Sequence, residues 1–228
     1  MNDKELVAKT AVTQVIRSDN IIVGLGTGST ANYFIDELSK KIKEKNLDIK
    51  VVASSTISNI KAVEAGLLCI SFDQIETIDY YVDGADEITV HDSIAVLKGR
   101  GYDLIREKLL ASASHECIII GDKSKIVNEI GTNFPIPVEV SPIAWKITKK
   151  IIEEFAVKCD LRKNSAGDGY SISSYGNLIL DCNFEYGDIS SLSKKLSEVP
   201  GVLEHGIFLN IVNTAIVANN GEIKKYEI

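Results

Sequence analysis

Three acidic residues surround a glycine and an alanine where an apolar run ends. The run IDYYV leads into DGADE, which places Asp83, Asp86 and Glu87 within five residues. Carboxylates held this close repel one another, and the repulsion raises their pKa values. They therefore need contact with water, a cation or a hydroxyl-rich ligand to stabilise their charges. Because carboxylates accept hydrogen bonds from sugar hydroxyls, the motif indicates a polyol site, although a solvated acidic turn is equally compatible with it.

A second motif, GLGTGST at 24–30, joins a predicted strand to a predicted helix. Glycines let the backbone approach a ligand closely, and the N-terminus of a helix attracts anions. The hydroxyls of Thr27, Ser29 and Thr30 add hydrogen-bond donors. The motif predicts a phosphate site, and a plain tight turn is the alternative.

The spacing of these glycines differs from that of the known nucleotide loops. Gly24, Gly26 and Gly28 follow a G-x-G-x-G pattern, whereas dinucleotide-binding loops have G-x-G-x-x-G followed by an acid after the second strand. The second strand ends in Ser54 and Ser55 instead, and no P-loop lysine is present. A compact phosphomonoester carrying hydroxyls fits better than NAD or ATP.

Two further segments carry charges that suit the same chemistry. In LKGRGYDLIREKLLAS, Lys98 stands beside glycines just before a helix, where it can reach an oxyanion. Glu107 lies in that helix and is a candidate base, although an ordinary surface glutamate fits the bare pattern. In IIIGDKSK, Lys125 is either part of a charged loop or a second cation for the phosphate.

Composition narrows the class of protein. The chain has 228 residues, a net charge of −7 and 45% hydrophobic residues, which suffices for a large core. Its lysines form no basic stripe for nucleic acid, and no apolar run approaches the ~20 residues that span a bilayer. The charged, amphipathic N-terminal segment is not a signal peptide, so we expect a soluble cytoplasmic protein. Widely spaced cysteines and isolated histidines predict reduced core thiols and no metal site.

The elements that must position these motifs alternate between strand and helix up to about residue 130. This alternation predicts an α/β fold: an open, mainly parallel, Rossmann-like sheet with helices on both faces. From 131 to 205 the pattern changes to antiparallel strands, turns and two amphipathic helices. We therefore predict an α/β catalytic domain at 1–130 and 206–228, and a smaller inserted α+β domain at 131–205.

Taken together, the segments VGLGTGSTA, YVDGADEI, LKGRGYDLIREKLLASA and DKSK resemble the ribose-5-phosphate isomerase A family. The resemblance runs essentially from end to end and includes FPIPVEV and GNLILD. It implies an open α/β sheet with a smaller α+β domain. It also implies an aldose–ketose isomerase of the pentose phosphate pathway that interconverts ribose 5-phosphate and ribulose 5-phosphate without metal or cofactor. A homodimer or a tetramer is the implied assembly, with no nucleic-acid or membrane partner.

Residue by residue, the resemblance makes Glu107 the proton acceptor in a reaction through a cis-enediolate. On mechanistic grounds, Lys98 and loop N–H groups would stabilise the developing charge. Asp83 would move a hydroxyl proton or open the furanose ring, and Asp86 would position hydroxyls. Substrate would be held by Thr27, Gly28, Ser29, Thr30, Asp83, Gly84, Ala85, Asp86, Lys98, Gly99, Arg100, Gly101 and Lys125.

The sequence departs from the family pattern at two places. Arg100 replaces the middle glycine of the usual KGGG, which costs about 1–3 kcal/mol if the backbone needs a glycine-only conformation. Alternatively, its side chain points outward and only its N–H is used. Some members of the family have a lysine in the first helix that faces the phosphate. In this sequence Val7 stands near that place, and Lys9 is a poor substitute for the missing lysine.

Two other classes of protein compete with the enzyme. A non-catalytic phosphosugar sensor would share the sheet and the phosphate loop, but such sensors usually carry a separate DNA-binding domain, and no basic helix-turn-helix precedes residue 20. A nicotinamide oxidoreductase is disfavoured by the glycine spacing and by the missing acid.

Overall fold

The structure is a computed structural model that describes residues 2–17, 19–91, 93–185 and 187–227. The helices in these ranges are α1 (Asp3–Val15), α2 (Ser29–Lys45), α3 (Thr56–Glu64), α4 (Leu104–Ala113), α5 (Trp145–Glu153) and α6 (Ile189–Ser197). The strands are β1 (Ile21–Leu25), β2 (Ile49–Ala53), β3 (Leu68–Cys69), β4 (Ile78–Asp83), β5 (Glu87–Thr89), β6 (Ala95–Leu97), β7 (Ser114–Asp122), β8 (Ile136–Val140), β9 (Lys158–Leu161), β10 (Leu178–Asn183), β11 (Val202–His205), β12 (Ile207–Leu209), β13 (Thr214–Asn219) and β14 (Glu222–Glu227).

A seven-stranded sheet in the order β14-β13-β7-β4-β1-β2-β3 forms the centre of the protein. All neighbouring strands run parallel except β14, which pairs antiparallel with β13 at the edge. The carboxyl ends of β1, β4 and β7 therefore lie side by side at one edge, where ligands bind in open α/β sheets. The predicted mainly parallel sheet is confirmed.

Strand residues alternate between two hydrophobic layers, because successive side chains point to opposite faces. In β7, Ile118 and Ile120 pack with α1 and α2, whereas Cys117 and Ile119 pack with α4 on the other face. The central strands are buried on both sides, which explains why they appear in the sequence as continuous apolar runs. The predicted helices on both faces are present.

A separate four-stranded sheet, β11-β8-β10-β9, is antiparallel throughout, as the sequence predicts for this block. Helices α5 and α6 contribute Ile152 and Leu196 to the core beneath it. That core also includes Leu97 and Ile207 from the flanking segments. The domain boundaries at 131 and 205 therefore stay a prediction, although the four strands lie between them.

A three-stranded sheet, β12-β6-β5, lies between these two and was not predicted. The sequence analysis expected the segment from 206 onward to rejoin the large sheet. Strands β13 and β14 do so, but β12 pairs with β6 instead. Strands of three residues are too short for a periodicity to reveal them.

Smaller differences concern the ends of elements and the cysteines. Helix α1 ends at Val15, and β3 consists of only two residues, Leu68 and Cys69. All four cysteines are free thiols, and Cys69 is only partly buried. Cys159 and Cys182 face each other across β9 and β10, with their Sγ atoms 2.8 Å apart. None of the helices in the described ranges has a long enough apolar stretch to cross a membrane.

Glu87, the last acid of DGADE, has a structural role away from the other two. Its side chain is fully buried and accepts hydrogen bonds from the backbone N–H groups of Gly131, Asn133 and Phe134. A buried carboxylate that accepts several backbone N–H bonds is well stabilised. Glu87 thereby fixes the start of the segment that leads into β8.

We expect Glu87→Ala to lower the free energy of unfolding by about 3 kcal/mol or more, because three backbone donors lose their acceptor. Chemical denaturation measures this change. Glu129→Ala is the matched control, since Glu129 is an exposed acid of the same segment and should shift stability by less than about 0.5 kcal/mol. Equal effects of the two substitutions would contradict the anchoring role.

Candidate active site

A cavity of about 310 Å³ opens at the carboxyl edge of the large sheet. It lies between the loops that follow β1, β4 and β7 and the loop that precedes α4. Its walls contain every sequence-predicted site residue except Asp83, together with one residue of α1, Lys4, and one of α2, Ala31. They are Lys4, Thr27, Gly28, Ser29, Thr30, Ala31, Gly84, Ala85, Asp86, Lys98, Gly99, Arg100, Gly101, Glu107 and Lys125.

A larger cavity of about 830 Å³ lies elsewhere, beside β10 and α6. The stacked rings of Phe155 and Phe184 contribute to its wall. None of the sequence-predicted site residues lines it. The residues that the sequence predicts for the site therefore line the smaller of the two cavities.

The glycines of GLGTGST serve different purposes. A Cβ on Gly26 would lie 2.0 Å from Asp83 Oδ1, so this glycine makes room for a buried carboxylate and not for a ligand. Gly28 has a φ of 118° and stands at the start of α2, on the cavity wall. Its positive φ turns the chain so that Ser29 and Thr30 begin the helix facing the cavity. Of these two glycines, Gly28 is the one that lines the cavity, and close approach of a ligand to it stays a prediction.

The Thr27 hydroxyl is held in a cluster of hydroxyl groups. Its Oγ1 lies 2.9 Å from Ser54 Oγ, 2.7 Å from Ser55 Oγ and 3.3 Å from Ser58 Oγ. Ser54 and Ser55 occupy the place where a dinucleotide-binding protein has its acid, and both are buried. These serines fix the side chain of a wall residue.

Asp83 is fully buried at the end of β4 and does not line the cavity. Its Oδ1 accepts hydrogen bonds from the backbone N–H groups of Thr27 at 3.1 Å and Gly84 at 2.7 Å. Its Oδ2 accepts one from the Tyr81 hydroxyl at 2.5 Å and lies 2.6 Å from Lys98 Nζ. Tyr81 was missed as a functional residue, although it stands two positions before Asp83, on the same side of the strand.

Lys98 lies between two buried carboxyl groups, those of Asp83 and Glu107. Its buried ammonium lies 2.6 Å from Asp83 Oδ2 and 3.3 Å from Glu107 Oε1, and donates to the Gly84 carbonyl at 2.9 Å. Burial acts to lower the pKa of Lys98, but the two carboxylates outweigh it and raise this pKa above its usual value. The backbone of Lys98 is fixed as well, because its N–H donates to the Gly206 carbonyl at 2.8 Å.

Gly206 leaves no room for a side chain at that contact. A Cβ on it would lie 2.3 Å from the Lys98 carbonyl oxygen and 2.8 Å from the Pro137 ring. Its own N–H donates to the Pro137 carbonyl at 2.8 Å. The position of the lysine backbone therefore depends on a glycine far along the chain.

Glu107 lies in the first turn of α4 with only 2% of its side chain exposed. Its Oε1 faces Lys98, whereas its Oε2 has no hydrogen-bond partner among the described residues. Burial raises the pKa of Glu107 to about 8, against the opposing effect of Lys98 and with a further upward push from Asp83. A carboxyl group with such a pKa and a free oxygen on a cavity wall is equipped for general base catalysis.

Asp86 is the acid of DGADE that lines the cavity. Burial raises its pKa, and the nearby charges of Lys98, Arg100 and Lys125 act against this rise. The backbone N–H of Arg100 also acts to lower the pKa of Asp86 by hydrogen bonding.

Arg100 adopts a conformation that any residue tolerates. Gly99 and Tyr102 have positive φ angles of 106° and 68°, but Arg100 does not, so replacement of the usual glycine causes no backbone strain there. Its exposed side chain lies over the ring of Phe134, 4.3 Å from the centroid. Lys125 Nζ lies 5.9 Å from the same centroid. Arg100 thus adds a positive charge at the cavity wall that a glycine of the usual KGGG pattern does not provide.

The first helix supplies a lysine from an unexpected position. Val7 is fully buried in the core, and Lys9 pairs with Glu5 at 2.8 Å. Lys4, one turn before Val7, lines the cavity and donates to Ser29 Oγ at 2.8 Å. The sequence analysis missed Lys4, although residues three apart share a helix face.

In the described part of the chain, no group of three or more His, Cys, Asp or Glu side chains is arranged to hold a metal ion. The cavity offers instead a buried ammonium, a carboxyl group with a free oxygen, and hydroxyls at a helix N-terminus. These groups suit proton transfer on a phosphorylated polyol.

Comparison with known proteins gives the same assignment. The sequence profile of the family described as Ribose 5-phosphate isomerase A (phosphoriboisomerase A) matches residues 50–222. The ribose-5-phosphate isomerase A of Thermococcus kodakarensis is 38% identical over 98% of this chain and 97% of its own length. That of Listeria monocytogenes is 38% identical over 98% of both chains.

Solved structures agree with these relatives. The ribose 5-phosphate isomerase A of Methanocaldococcus jannaschii superposes with a TM-score of 0.91 at 32% identity, covering 99% of this chain and 98% of its own. A D-ribose-5-phosphate isomerase in complex with phospho-erythronic acid superposes with a TM-score of 0.93 at 36% identity, covering 100% of both chains. The chain therefore belongs to the ribose 5-phosphate isomerase A family and is an aldose–ketose isomerase that acts on ribose 5-phosphate and ribulose 5-phosphate.

Proposed function

We propose that this chain interconverts D-ribose 5-phosphate and D-ribulose 5-phosphate through a cis-enediolate, with Glu107 moving the proton between C2 and C1. The observation that carries the proposal is the Glu107 carboxyl group. It is buried at the cavity wall with an unpartnered Oε2 and stands beside the Lys98 ammonium. One carboxylate can take a proton from one carbon and return it to the next, provided that both carbons lie within its reach.

Lys98 supplies the charge that the intermediate needs. In the free site its ammonium is shared between Asp83 and Glu107, and the contact with Glu107 is the longer of the two. Once Glu107 accepts the proton it becomes neutral, and negative charge appears on the sugar oxygen at the same moment. The ammonium then interacts with the enediolate instead of the carboxylate. A preorganised donor of this kind is worth about 2.7–4 kcal/mol in the transition state.

The phosphate end of the substrate meets the start of α2. There the hydroxyls of Ser29 and Thr30 and the helix N-terminus face the cavity, and Lys4 and Lys125 stand on its walls. A backbone amide array with adjacent cations suits a phosphate dianion. The phospho-erythronic acid bound by the relative carries a phosphate and a carboxylate, and a carboxylate imitates the charge of the enediolate.

The two aspartates have different roles in this proposal. All the hydrogen bonds of Asp83 go to protein groups, so it acts by orienting Lys98 and the Thr27 backbone. Asp86 reaches the cavity and is the carboxyl group that contacts sugar hydroxyls. The substrate contacts that the resemblance gives to Asp83 would require it to move.

The remaining expectations belong to the same proposal. We propose that the protein is cytoplasmic, works as a homodimer or a tetramer, and needs no metal or cofactor. A mechanism that relies on an ammonium and a carboxylate predicts that EDTA leaves the activity unchanged.

We expect Glu107→Gln to lower turnover of ribose 5-phosphate by about 10²–10⁴-fold while substrate binding persists, because only the base is removed. Turnover and calorimetric binding, both with EDTA present, measure the two properties. Glu64→Gln, an exposed glutamate in a helix, is the matched control. Near-normal turnover would exclude Glu107 as the base, and wild-type binding without conversion would favour a sensor.

We expect kcat/KM to rise with pH, with a midpoint near 8, because the base works only when Glu107 is deprotonated and its pKa is raised to about 8. A phosphate monoester titrates lower, at about 6, so the two ionisations are distinguishable in a pH–rate profile. A profile that is already flat above about pH 6 would contradict a raised pKa in the free enzyme.

We expect Lys4→Met to raise KM for ribose 5-phosphate about tenfold with a smaller effect on kcat, because a charge-assisted contact to the phosphate is lost. Steady-state kinetics at low ionic strength measure both constants. Lys9→Met is the matched control on the same helix. Equal KM values for the two variants would remove Lys4 from the phosphate site.

A further inference from the structure

The loop between Lys98 and α4 is held from outside the large sheet by Arg162, which follows β9. Its Nη1 donates to the Gly99 carbonyl at 2.7 Å. The other two nitrogens of the guanidinium form hydrogen bonds to the Asp181 carboxylate of β10, with Nε donating at 2.9 Å and Nη2 at 2.5 Å. One side chain thus joins the antiparallel sheet to the backbone of the cavity wall.

The hydrogen bond from Arg162 to the Gly99 carbonyl also fixes the direction of the Arg100 N–H. Gly99 and Arg100 share one planar peptide unit, and the described chain contains no cis peptide bond. In a trans peptide the C=O and the N–H point in opposite directions. Since Arg162 holds the carbonyl toward β9 and β10, the Arg100 N–H points the other way. That direction is the cavity, where Asp86 lies.

The loop needs such a tether because its own conformation is tight. Gly99 has a φ of 106°, and a Cβ on it would lie 2.3 Å from the Leu104 side chain. Tyr102 also has a positive φ, and its ring centroid lies 5.7 Å from the Arg162 guanidinium. A loop keeps such sparsely populated angles only when the surrounding structure holds it, and the bond from Arg162 to the Gly99 carbonyl is one such restraint.

We propose that Arg162 is a positioning residue for the isomerisation: it locks the Gly99–Arg100 peptide so that the Arg100 N–H faces the cavity and donates to the substrate oxygen that gains charge once the sugar is bound. In the free site this N–H donates to Asp86. Arg162 itself does not touch the substrate. This inference rests on the proposed function and adds to it a donor group and the side chain that orients that donor.

An arginine is needed because three of its nitrogens work at once. The planar fork binds the carboxylate with two nitrogens while a third reaches the carbonyl. A lysine in its place can satisfy either Asp181 or the Gly99 carbonyl, but not both with fixed geometry. Arg162→Lys therefore keeps the charge and loses the orientation.

The test compares Arg162→Lys and Arg162→Ala with the wild type in turnover of ribose 5-phosphate. Loss of one preorganised oxyanion donor lowers kcat by about 10²-fold or more, so we expect a fall of that size in Arg162→Ala and a smaller one in Arg162→Lys. KM and the inhibition constant for inorganic phosphate should stay within about threefold. Methylguanidinium added to Arg162→Ala should restore part of kcat.

Lys149→Met is the matched control, because it removes an ion pair with Glu153 from the same antiparallel region without contacting the loop. Its kcat and melting temperature define the effect of a merely structural change. Asp181→Asn is a second variant that leaves the arginine in place but loosens its orientation, and it should lower kcat in the same direction as Arg162→Lys.

Unchanged kcat in Arg162→Lys and Asp181→Asn would overturn the inference, as would a rise in KM with unchanged kcat. A fall in kcat no larger than that of Lys149→Met would do the same. Absence of turnover in the wild type would refute the proposed function instead, so the two failures are distinguishable.

Discussion

The buried ammonium of Lys98 is the interaction on which the site depends. Two carboxyl groups from different elements, one at the end of β4 and one in α4, lie on either side of it. Neither acid is stable at such depth without a counter-charge, and the lysine is equally dependent on them. One positive charge between two negative ones leaves the buried group with a net negative charge. Burial outweighs the effect of the lysine on Glu107, the acid with the longer contact to it, and raises the pKa of Glu107, with a smaller upward contribution from Asp83.

The fold supplies this arrangement through the alignment of parallel strands. Because β1, β4 and β7 end at the same edge, the glycine turn after β1, the acidic turn after β4 and the Lys125 turn after β7 meet without long connections. Lys98 joins them from the loop that follows β6. Some polar residues near these turns serve as support: Glu87 anchors the segment before β8, and Ser54 and Ser55, which follow β2, orient Thr27. The residues left over face the cavity. A single polar motif such as DGADE therefore contains both a cavity residue, Asp86, and a supporting residue, Glu87.

The sequence predicts the large sheet and most of the cavity wall, because long apolar runs and glycine-rich turns are local signals. It does not predict the partners across the fold. Asp83 belongs to the most conspicuous motif, yet its place behind the cavity follows from the Gly26 backbone and the Tyr81 hydroxyl. Lys4 and Arg162 carry no local pattern at all, since their partners Ser29 and Gly99 lie 25 and 63 positions away. The three-residue strands β5, β6 and β12 are likewise defined only by their pairing.

The contact between Gly206 and Lys98 has a consequence for how the protein is made. Residue 98 leaves the ribosome long before residue 206, and every residue of the antiparallel sheet is synthesised in between. Non-local contacts of this length form late in folding, because a large loop must first be closed. The nascent chain can complete the β1–β4 pairing early. The backbone of Lys98 is fixed only after Gly206, more than a hundred residues downstream, has been synthesised. Chains synthesised only as far as the antiparallel sheet therefore hold the acidic turn without a fixed counter-ion, and catalytic competence arrives only after Gly206 has been added.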